Sequence, residues 1–306
     1  MTNSSDGRLT PTRNTRRDIR RAILFMTIAI AILPLMNVTA KYLSAEYPTT
    51  QIVWARYAGH FIFVLLIFLP SRGLRLFRAR RLGVHLVRSI LMFICTLLFF
   101  WALRYIDVPV ASSINLTSPM IVTALAVPFL GEKVEFRRWL AVLAGFAGAL
   151  IIIWPGGATA HWAMFLVAGT ALLYAIYQIL TRKVATEDSA ETSLAYIALV
   201  GTVILTIALP FDYRIPTSWT DAGLHFFVGV VGGTGHFFII QAFRLGEASV
   251  LAPFNYGQLI MATVASYFVF DTLPDAMTWL GAAIIVASGI YITLRESRAG
   301  RSKGGG

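Results

Sequence analysis

The sequence predicts an all-α membrane protein with ten transmembrane helices in two inverted five-helix repeats, with both termini cytoplasmic. Three observations predict this fold. First, 57% of the 306 residues are hydrophobic and only 13% are charged, whereas a soluble domain is about half apolar and about a quarter charged. Second, Lys and Arg residues are concentrated in every other connection between apolar runs. Third, the two halves of the chain resemble each other.

The first five apolar runs predict spans near 22–44, 49–69, 83–103, 108–130 and 136–154. Each crossing requires about 20 mostly apolar residues, because a helix rises about 1.5 Å per residue. Residues 1–21 are polar and basic, and the run after them is too long for the core of a signal peptide. We therefore expect 1–21 to be a cytoplasmic tail and 22–154 to form the first repeat.

The second half contains five further apolar runs, near 159–182, 190–210, 217–243, 248–270 and 275–295. The long 217–243 run includes an interfacial lead-in to its span. These runs predict a second repeat over 159–295, followed by a cytoplasmic tail at 296–306.

The distribution of basic residues fixes the predicted orientation. Of the 26 Lys and Arg residues, 21 fall on the side of the two termini and three on the other side, while Arg56 and Arg88 lie inside spans. Such an asymmetry places the richer side in the cytoplasm. Because the basic residues follow the topology in this way, the net charge of +11 does not indicate nucleic-acid binding.

An internal repeat appears at an offset of 140 residues. The segment that begins at Trp101 aligns without gaps to the segment that begins at Gln241. The identical pairs are Ala102/Ala242, Arg104/Arg244, Val110/Val250, Asn115/Asn255, Thr123/Thr263, Trp139/Trp279 and Leu140/Leu280. Because five spans per half is an odd number, the second half must enter the membrane from the opposite side. Secondary transporters are often built this way, with the substrate site between the halves near the midplane. The alternative is an ordinary helical bundle with accidental self-similarity.

The repeat carries a pattern that resembles the EamA-type proteins of the drug/metabolite transporter superfamily, from about residue 20 to 295. The residues that match in the first copy are Ala102, Leu103, Tyr105, Ala111, Pro119, Gly131, Glu132, Gly145 and Gly148. The second copy keeps Ala242, Ala252, Gly281 and Gly289. It departs at Asp271-Thr272, where Gly-Glu is usual, and at Ile260, where the proline would fall.

The resemblance implies a central cavity lined by the first four spans of each half, with the fifth and tenth spans supporting them. Known members move amino acids, other metabolites, nucleotide sugars or cations. Among bacterial members of this length, amino-acid and metabolite exporters match best.

Arg56 and His60 lie one helical turn apart inside the second span. Arg56 either lines the outer half of the cavity and receives a substrate carboxylate, or acts as a structural staple that reaches outward or ties helix carbonyls together. Ala55 and Gly59 form an adjacent strip of small residues, which predicts a close helix contact. Arg88 lies near the cytoplasmic end of its span, where its side chain is expected to snorkel to the interface.

Other polar residues at membrane depth complete the candidate substrate site. Each has a structural alternative. The polar residues of the sixth span can pack and form hydrogen bonds between helices, the asparagines can cap broken helix segments, and His236 can be a packed histidine. The candidates are Asn37, three residues after Pro34, which is expected to break the first helix; the repeat-related Asn115 and Asn255; Tyr174, Tyr177 and Gln178 on one face of the sixth span; Tyr256 and Gln258; and His236.

None of the 15 acidic residues falls in the middle of a span, which argues against a buried carboxylate relay and leaves His60 and His236 as the deep titratable groups. A cavity with Arg56 and no fixed negative charge suits zwitterions or weak anions. The sequence therefore predicts a secondary transporter in the lipid bilayer of the cell membrane. It is expected to export amino acids or related small metabolites by alternating access, without a metal or cofactor.

Three alternatives accompany this prediction. The first is an uptake transporter for a vitamin- or nucleoside-like metabolite. The others are an intramembrane enzyme and a channel or receptor; no catalytic motif such as H-E-x-x-H or G-x-S-x-G supports the enzyme, and the inverted repeat argues against both.

Overall fold

The structure, a computed structural model, describes residues 16–130, 135–154, 161–184, 188–246 and 248–303. Helices make up nearly all of these ranges, and none of the residues in them forms a strand. The α-helices are α1 Arg16–Leu43, α2 Thr49–Arg72, α3 Leu82–Leu103, α4 Val108–Asn115, α5 Ser118–Leu130, α6 Phe136–Ile153, α7 Ala163–Val184, α8 Ala190–Ala208, α9 Trp219–Leu245, α10 Ala248–Leu251, α11 Gly257–Phe270 and α12 Ala276–Lys303. Short 3-10 helices cover Gly73–Phe77, Leu209–Phe211 and Ala252–Tyr256.

Nine helical stretches in these ranges are long and apolar enough to cross a membrane. They match nine of the ten predicted spans. The remaining one, the ninth span at 248–270, is divided into α10, the 3-10 helix and α11, and so contains no single long helix. Large apolar side chains such as Leu66, Phe226 and Phe268 are exposed on these helices. Such exposure is expected where lipid, and not water, covers the surface.

The helices extend further than predicted at both ends of the chain. α1 begins at Arg16, inside the predicted tail, and α12 continues to Lys303. α1 also runs through Pro34 without a break, although we expected that proline to interrupt it. The motif residues Gly131 and Glu132, residues 155–160 and the outermost tail residues lie outside the described ranges.

Helix ends follow from local chemistry. Ser189 and Ser218 cap α8 and α9, because their hydroxyl oxygens accept hydrogen bonds from the backbone N–H of Thr192 (3.2 Å) and Asp221 (3.0 Å). α11 ends at Asp271, whose φ of 53° lies in the left-handed region. Glycine adopts that region without strain, and aspartate is among the few other residues that tolerate it. This explains how Asp271 replaces the usual glycine of the motif.

Contacts between connections show which helix ends lie together. Glu191, at the start of α8, is 3.0 Å from Arg72 at the end of α2 and 3.7 Å from Arg244 at the end of α9. We call this the basic end of the bundle. At the opposite end, Lys41 of α1 pairs with Asp107 before α4 at 3.0 Å. This alternation is the one that the ten-span prediction requires.

The two halves exchange their first helices. α1 packs against α9 and α11 of the second half, and α7, its repeat counterpart, packs against α3 and α5 of the first half. α6 and α12 pack on each other, where Gly148 and Gly281 allow backbone contact. The fifth and tenth spans thus form a pair of their own, as expected for supporting helices.

The predicted close contact at Gly59 is confirmed. A Cβ atom on Gly59 would lie 2.5 Å from the Cα of Gly229 on α9, and one on Gly229 would lie 2.7 Å from the carbonyl oxygen of Ala55. Only glycine allows α2 and α9 to approach this closely. The contact fixes the position of the α2 face that carries Arg56.

Candidate functional site

The fourth span of each half is broken at the repeat-related asparagines. In the first half, α4 ends at Asn115 and α5 starts at Ser118, just before Pro119. In the second half, the 3-10 helix that follows α10 contains Asn255. Proline favours such breaks because it has no N–H and clashes with the preceding turn. Discontinuous helices at matching positions of two repeats are typical of transporter substrate sites.

Hydroxyl groups satisfy the carbonyls that the first break releases. Thr117 donates to the carbonyl oxygen of Ile114 (2.7 Å), and Ser118 donates to that of Asn115 (2.6 Å). Backbone groups at membrane depth require such partners, because no lipid group can replace water. The amide side chain of Asn115 is not used in this repair and stays available.

Five half-buried amide side chains make no hydrogen bond to any other part of the chain that the structure describes. They are Asn37, Asn115, Gln178, Asn255 and Gln258. The elements that carry them adjoin: α4 packs against α7 and α11, and α1 packs against α11. Amides inside a bundle normally find partners. Their donors and acceptors are therefore not used within the part of the chain that the structure describes, which leaves these five positions as candidates for solute binding.

Tyr174 and Tyr177, predicted from the sequence to share a face of α7, form a stacked pair with ring centroids 5.6 Å apart and an interplanar angle of 19°. The guanidinium of Arg88 lies 5.1 Å from the centre of the Tyr177 ring, and its NH2 group donates to the Tyr177 hydroxyl at 3.4 Å. The aromatic pair therefore has a cation at one end. The group thus combines aromatic ring faces, which can stack, with a guanidinium, which can donate hydrogen bonds.

The expectation that Arg88 snorkels to the interface is wrong. Its side chain is 1% exposed and donates to Ser193 Oγ at 3.1 Å and to His85 Nδ1 at 3.4 Å. Its Nε has no partner in the described ranges. The signal for this site was present in the sequence, because His85 and Arg88 are three residues apart and share a helix face.

Arg56, His60 and His236 are brought together by α2 and α9. Arg56 is 5% exposed and donates from NH1 to Thr96 Oγ1 at 3.1 Å and from NH2 to His236 Nε2 at 3.3 Å. The rings of His60 and His236 are 5.3 Å apart. Thr96 and His236 are themselves 140 positions apart, so both repeats contribute to holding the guanidinium.

These contacts tie three helices together, but they involve a hydroxyl and an imidazole and not helix carbonyls, and Arg56 Nε has no partner among the described residues. Both roles predicted for Arg56 therefore stay open. The guanidinium bridges α2, α3 and α9, and no carboxylate lies within 4 Å of it among the described residues. Arg56 and Arg88 thus give the interior a positive charge that no neighbouring acid neutralises directly.

Tyr256 occupies a different position from the other predicted residues. It is 6% exposed, and its hydroxyl lies against Gly289 of α12, where any Cβ atom would clash with it. This favours a packing role for Tyr256 and explains why the motif has a glycine at position 289.

A cleft of about 730 Å³ opens at the end opposite the basic end, between the ends of α1, α9 and α11. Its polar lining includes Lys41, Tyr47, Arg104 and Asp221. The Tyr47 hydroxyl donates to the Asp221 carboxylate at 3.0 Å, which connects the two repeats at this end. Sequence reasoning missed this cleft, because its residues come from helix ends and connections that are far apart along the chain.

The sequence profile of the EamA-like transporter family matches this chain twice, over residues 20–154 and 161–295. The chain is 35% identical to a riboflavin transporter of Vibrio cholerae, over 92% of this chain and 96% of that protein. It is 28% identical to an S-adenosylmethionine uptake transporter of Rickettsia bellii, over 86% and 90%. It is 25% identical to a pseudopaline exporter of Pseudomonas aeruginosa, over 90% and 96%. A crystal structure of a protein superposes with a TM-score of 0.63 at 15% identity, covering 91% of this chain and 98% of that one, which supports the fold.

Proposed function

Because this chain belongs to the EamA-like transporter family, we propose that it takes up riboflavin or a closely related planar metabolite by alternating access between its two repeats. Membership of the family and the apolar helices make it a multi-pass membrane protein, which in bacteria resides in the plasma membrane, and a transporter and not an enzyme. Export of amino acids, the first expectation from the sequence, is not confirmed by these relatives. Uptake of a vitamin-like metabolite, the alternative, agrees with two of them.

The stacked Tyr174–Tyr177 pair with Arg88 at its end is the observation that carries the proposal. Riboflavin combines a flat fused ring system with carbonyl acceptors at one edge and a hydroxylated chain. The ring can extend the tyrosine stack, and its carbonyls can accept from Arg88. The hydroxylated chain then lies among the free amides of the broken spans, such as Asn115 and Asn255.

Charge favours a flavin over S-adenosylmethionine, the substrate named for the Rickettsia relative. That molecule carries a sulfonium and has a net positive charge at neutral pH. The deep charged side chains here are Arg56 and Arg88, both buried and without a carboxylate within 4 Å among the described residues. A cation would enter this interior against two like charges at low dielectric. Riboflavin is uncharged and meets no such barrier.

The basic end is proposed to face the cytoplasm. It holds the connection after α2, with Arg72, Arg75, Arg78, Arg80 and Arg81. A concentration of basic residues near span ends is retained on the cytoplasmic side. The cleft lined by Lys41, Tyr47 and Asp221 is then the outer vestibule through which substrate enters.

Riboflavin counterflow in proteoliposomes tests the proposal. Vesicles loaded with unlabelled riboflavin should accumulate labelled riboflavin in a saturable manner, and neither S-adenosylmethionine nor leucine should compete. Replacing Tyr174 by Leu should weaken riboflavin binding about tenfold, since one stacked ring is worth about 1 kcal/mol or somewhat more. Tyr267, an exposed tyrosine of α11, provides the matched control, and its Leu variant should transport normally. Counterflow of labelled leucine, with none of riboflavin, would restore the amino-acid hypothesis. Single-channel currents would exclude a carrier.

A further inference from the structure

We propose that His85 is a proton-coupling site: substrate binding draws Arg88 away from His85 Nδ1, which then takes up a proton, so that substrate and proton are carried together. The inference rests on the proposed function, because it places Arg88 in contact with a flavin carbonyl. It assigns a coupling ion to a bundle whose acidic residues all lie near helix ends.

The hydrogen-bond geometry sets the protonation of His85. Arg88 NH1 is a donor, so the Nδ1 atom 3.4 Å away must act as acceptor and carries no hydrogen. Nε2 then holds the ring proton and donates to Asp188 Oδ2 at 3.0 Å. The neutral imidazole of His85 therefore lies between the carboxylate of Asp188 and the guanidinium of Arg88. This arrangement is buried, since the side chains of His85 and Asp188 are 0% and 4% exposed.

Among the described residues around His85, the carboxylate nearest along the chain after Asp188 is Glu191, and it is paired with arginines. From α8, the Tyr196 ring stacks on the imidazole at 5.4 Å, and Ser193 binds Arg88. From α7, Tyr177 contacts Arg88. From the connection before α3, the backbone N–H of Arg80 donates to Asp188 Oδ1 at 3.0 Å. Glu191, the next acid along α8, is held by Arg72 and Arg244.

His85 Nδ1 cannot carry a proton while Arg88 remains in its present position. With His85 neutral, Asp188 lies beyond the imidazole from Arg88 and compensates its charge only at a distance. A protonated imidazole would instead point an N–H at the guanidinium, donor against donor and cation against cation. Moving Arg88 to a substrate carbonyl removes this conflict and leaves Asp188 to compensate the imidazolium. By linkage, the proton must strengthen substrate binding by the same factor by which substrate strengthens proton binding.

His225, the repeat counterpart of His85 on α9, lacks this arrangement. Its Nδ1 is 2.8 Å from the backbone carbonyl oxygen of Asp221, and its Nε2 is 3.4 Å from the Gln51 side-chain nitrogen. A ring that donates to a carbonyl and faces an amide has no guanidinium to displace. His225 therefore serves as a matched control at the opposite end of the bundle.

The test is the pH dependence of riboflavin binding to the purified full chain, followed by quenching of flavin fluorescence at about pH 5.5 and about pH 8, which bracket the usual range of histidine. Riboflavin itself does not titrate between these values. We expect the wild type and His225→Gln to bind roughly 5- to 100-fold more tightly at the lower pH, the usual range of coupling between two sites. In His85→Gln the ratio should fall to about one.

A second variant covers the case in which His85→Gln does not fold. Asp188→Asn keeps an acceptor for Nε2 but removes the charge that compensates the imidazolium, so the ratio should again approach one. An unchanged ratio in either variant, or pH-independent binding by the wild type, overturns the coupling. If His225→Gln also loses the pH dependence of riboflavin binding, the assignment of that dependence to His85 is overturned. Failure of the wild type to bind riboflavin at either pH is a separate result, which overturns the proposed substrate and the coupling with it.

Discussion

The glycine contact between α2 and α9 gives a prediction whose sign can be checked against a control in the same chain. A Cβ on Gly59 would lie 2.5 Å from Gly229 Cα and 2.9 Å from its carbonyl carbon. Carbon atoms normally approach no closer than about 3.5 Å. Gly59→Ala therefore requires the two helices to separate by about 1 Å. Overpacking of this kind costs about 1–3 kcal/mol.

The same substitution also has a favourable term. Alanine is a better helix former than glycine by about 0.5–1 kcal/mol. The net loss for Gly59→Ala should thus lie between about 0 and about 2.5 kcal/mol, with a central value of about 1 kcal/mol. Gly169, inside α7, isolates the favourable term, because a Cβ there would meet no atom within 4 Å. Gly169→Ala should therefore stabilise the protein by about 0.5–1 kcal/mol.

Unfolding of both variants in detergent can be followed through the fluorescence of the 7 tryptophans. Gly59→Ala should unfold at a lower denaturant concentration than the wild type, and Gly169→Ala at a higher one. If both variants gain stability equally, α2 and α9 are not in backbone contact at Gly59, and the position of Arg56 derived from it is wrong.

Three further predictions concern charged groups. Arg56→Lys should lower the free energy of unfolding by about 1.5–3 kcal/mol, because one ammonium cannot reach both acceptors. Riboflavin counterflow per folded molecule should persist, because the charge remains. Lost counterflow at normal stability would place Arg56 in the substrate site. Glu191→Gln should cost less than about 1 kcal/mol in low salt and nothing in high salt, because its partner Arg72 is half exposed; a salt-independent loss would contradict an ion pair. Burial alone would raise the pKa of Asp188, but hydrogen bonds from Arg80 N–H and His85 outweigh it and hold the pKa below its usual range. The stability that this lowered pKa contributes is complete above about pH 4 and is lost as the pH falls through the pKa of Asp188 in the folded protein. Asp188→Asn should therefore remove an acid-dependent step in thermal unfolding below about pH 4, and no step above it.

The spans and their alternation could be predicted from the sequence because the bilayer imposes simple rules. A run of about 20 apolar residues and the side on which basic residues collect leave few arrangements open. Glu191 with Arg72 and Arg244 confirms the arrangement of the connections. The division of the 248–270 span was harder to predict, because its apolar composition is uniform and only Pro253 and Gly257 mark the break.

The candidate site was only partly predictable. The shared face of Tyr174 and Tyr177 follows from helical spacing, and the structure stacks them. The partner Arg88 was missed, because depth in the membrane was judged from distance along the helix alone. What holds Arg88 inside is tertiary: α8 brings Ser193, and the residue before its cap, Asp188, fixes His85. Contacts between distant segments of this kind carry no local sequence signal.

The exchange of first helices between the halves has a consequence for biosynthesis. When the first five spans have entered the membrane, α1 is present but its partners α9 and α11 are not yet made, and the groove of α3 and α5 lacks α7. Each half is thus an unfinished binding surface for the other. The polar interior of the first half is therefore not yet covered at that stage, and assembly is completed only when α7, and later α9, are inserted and pack against it. The interface between the halves, where we propose that the substrate binds, therefore forms only in the final docking step and belongs to neither half alone.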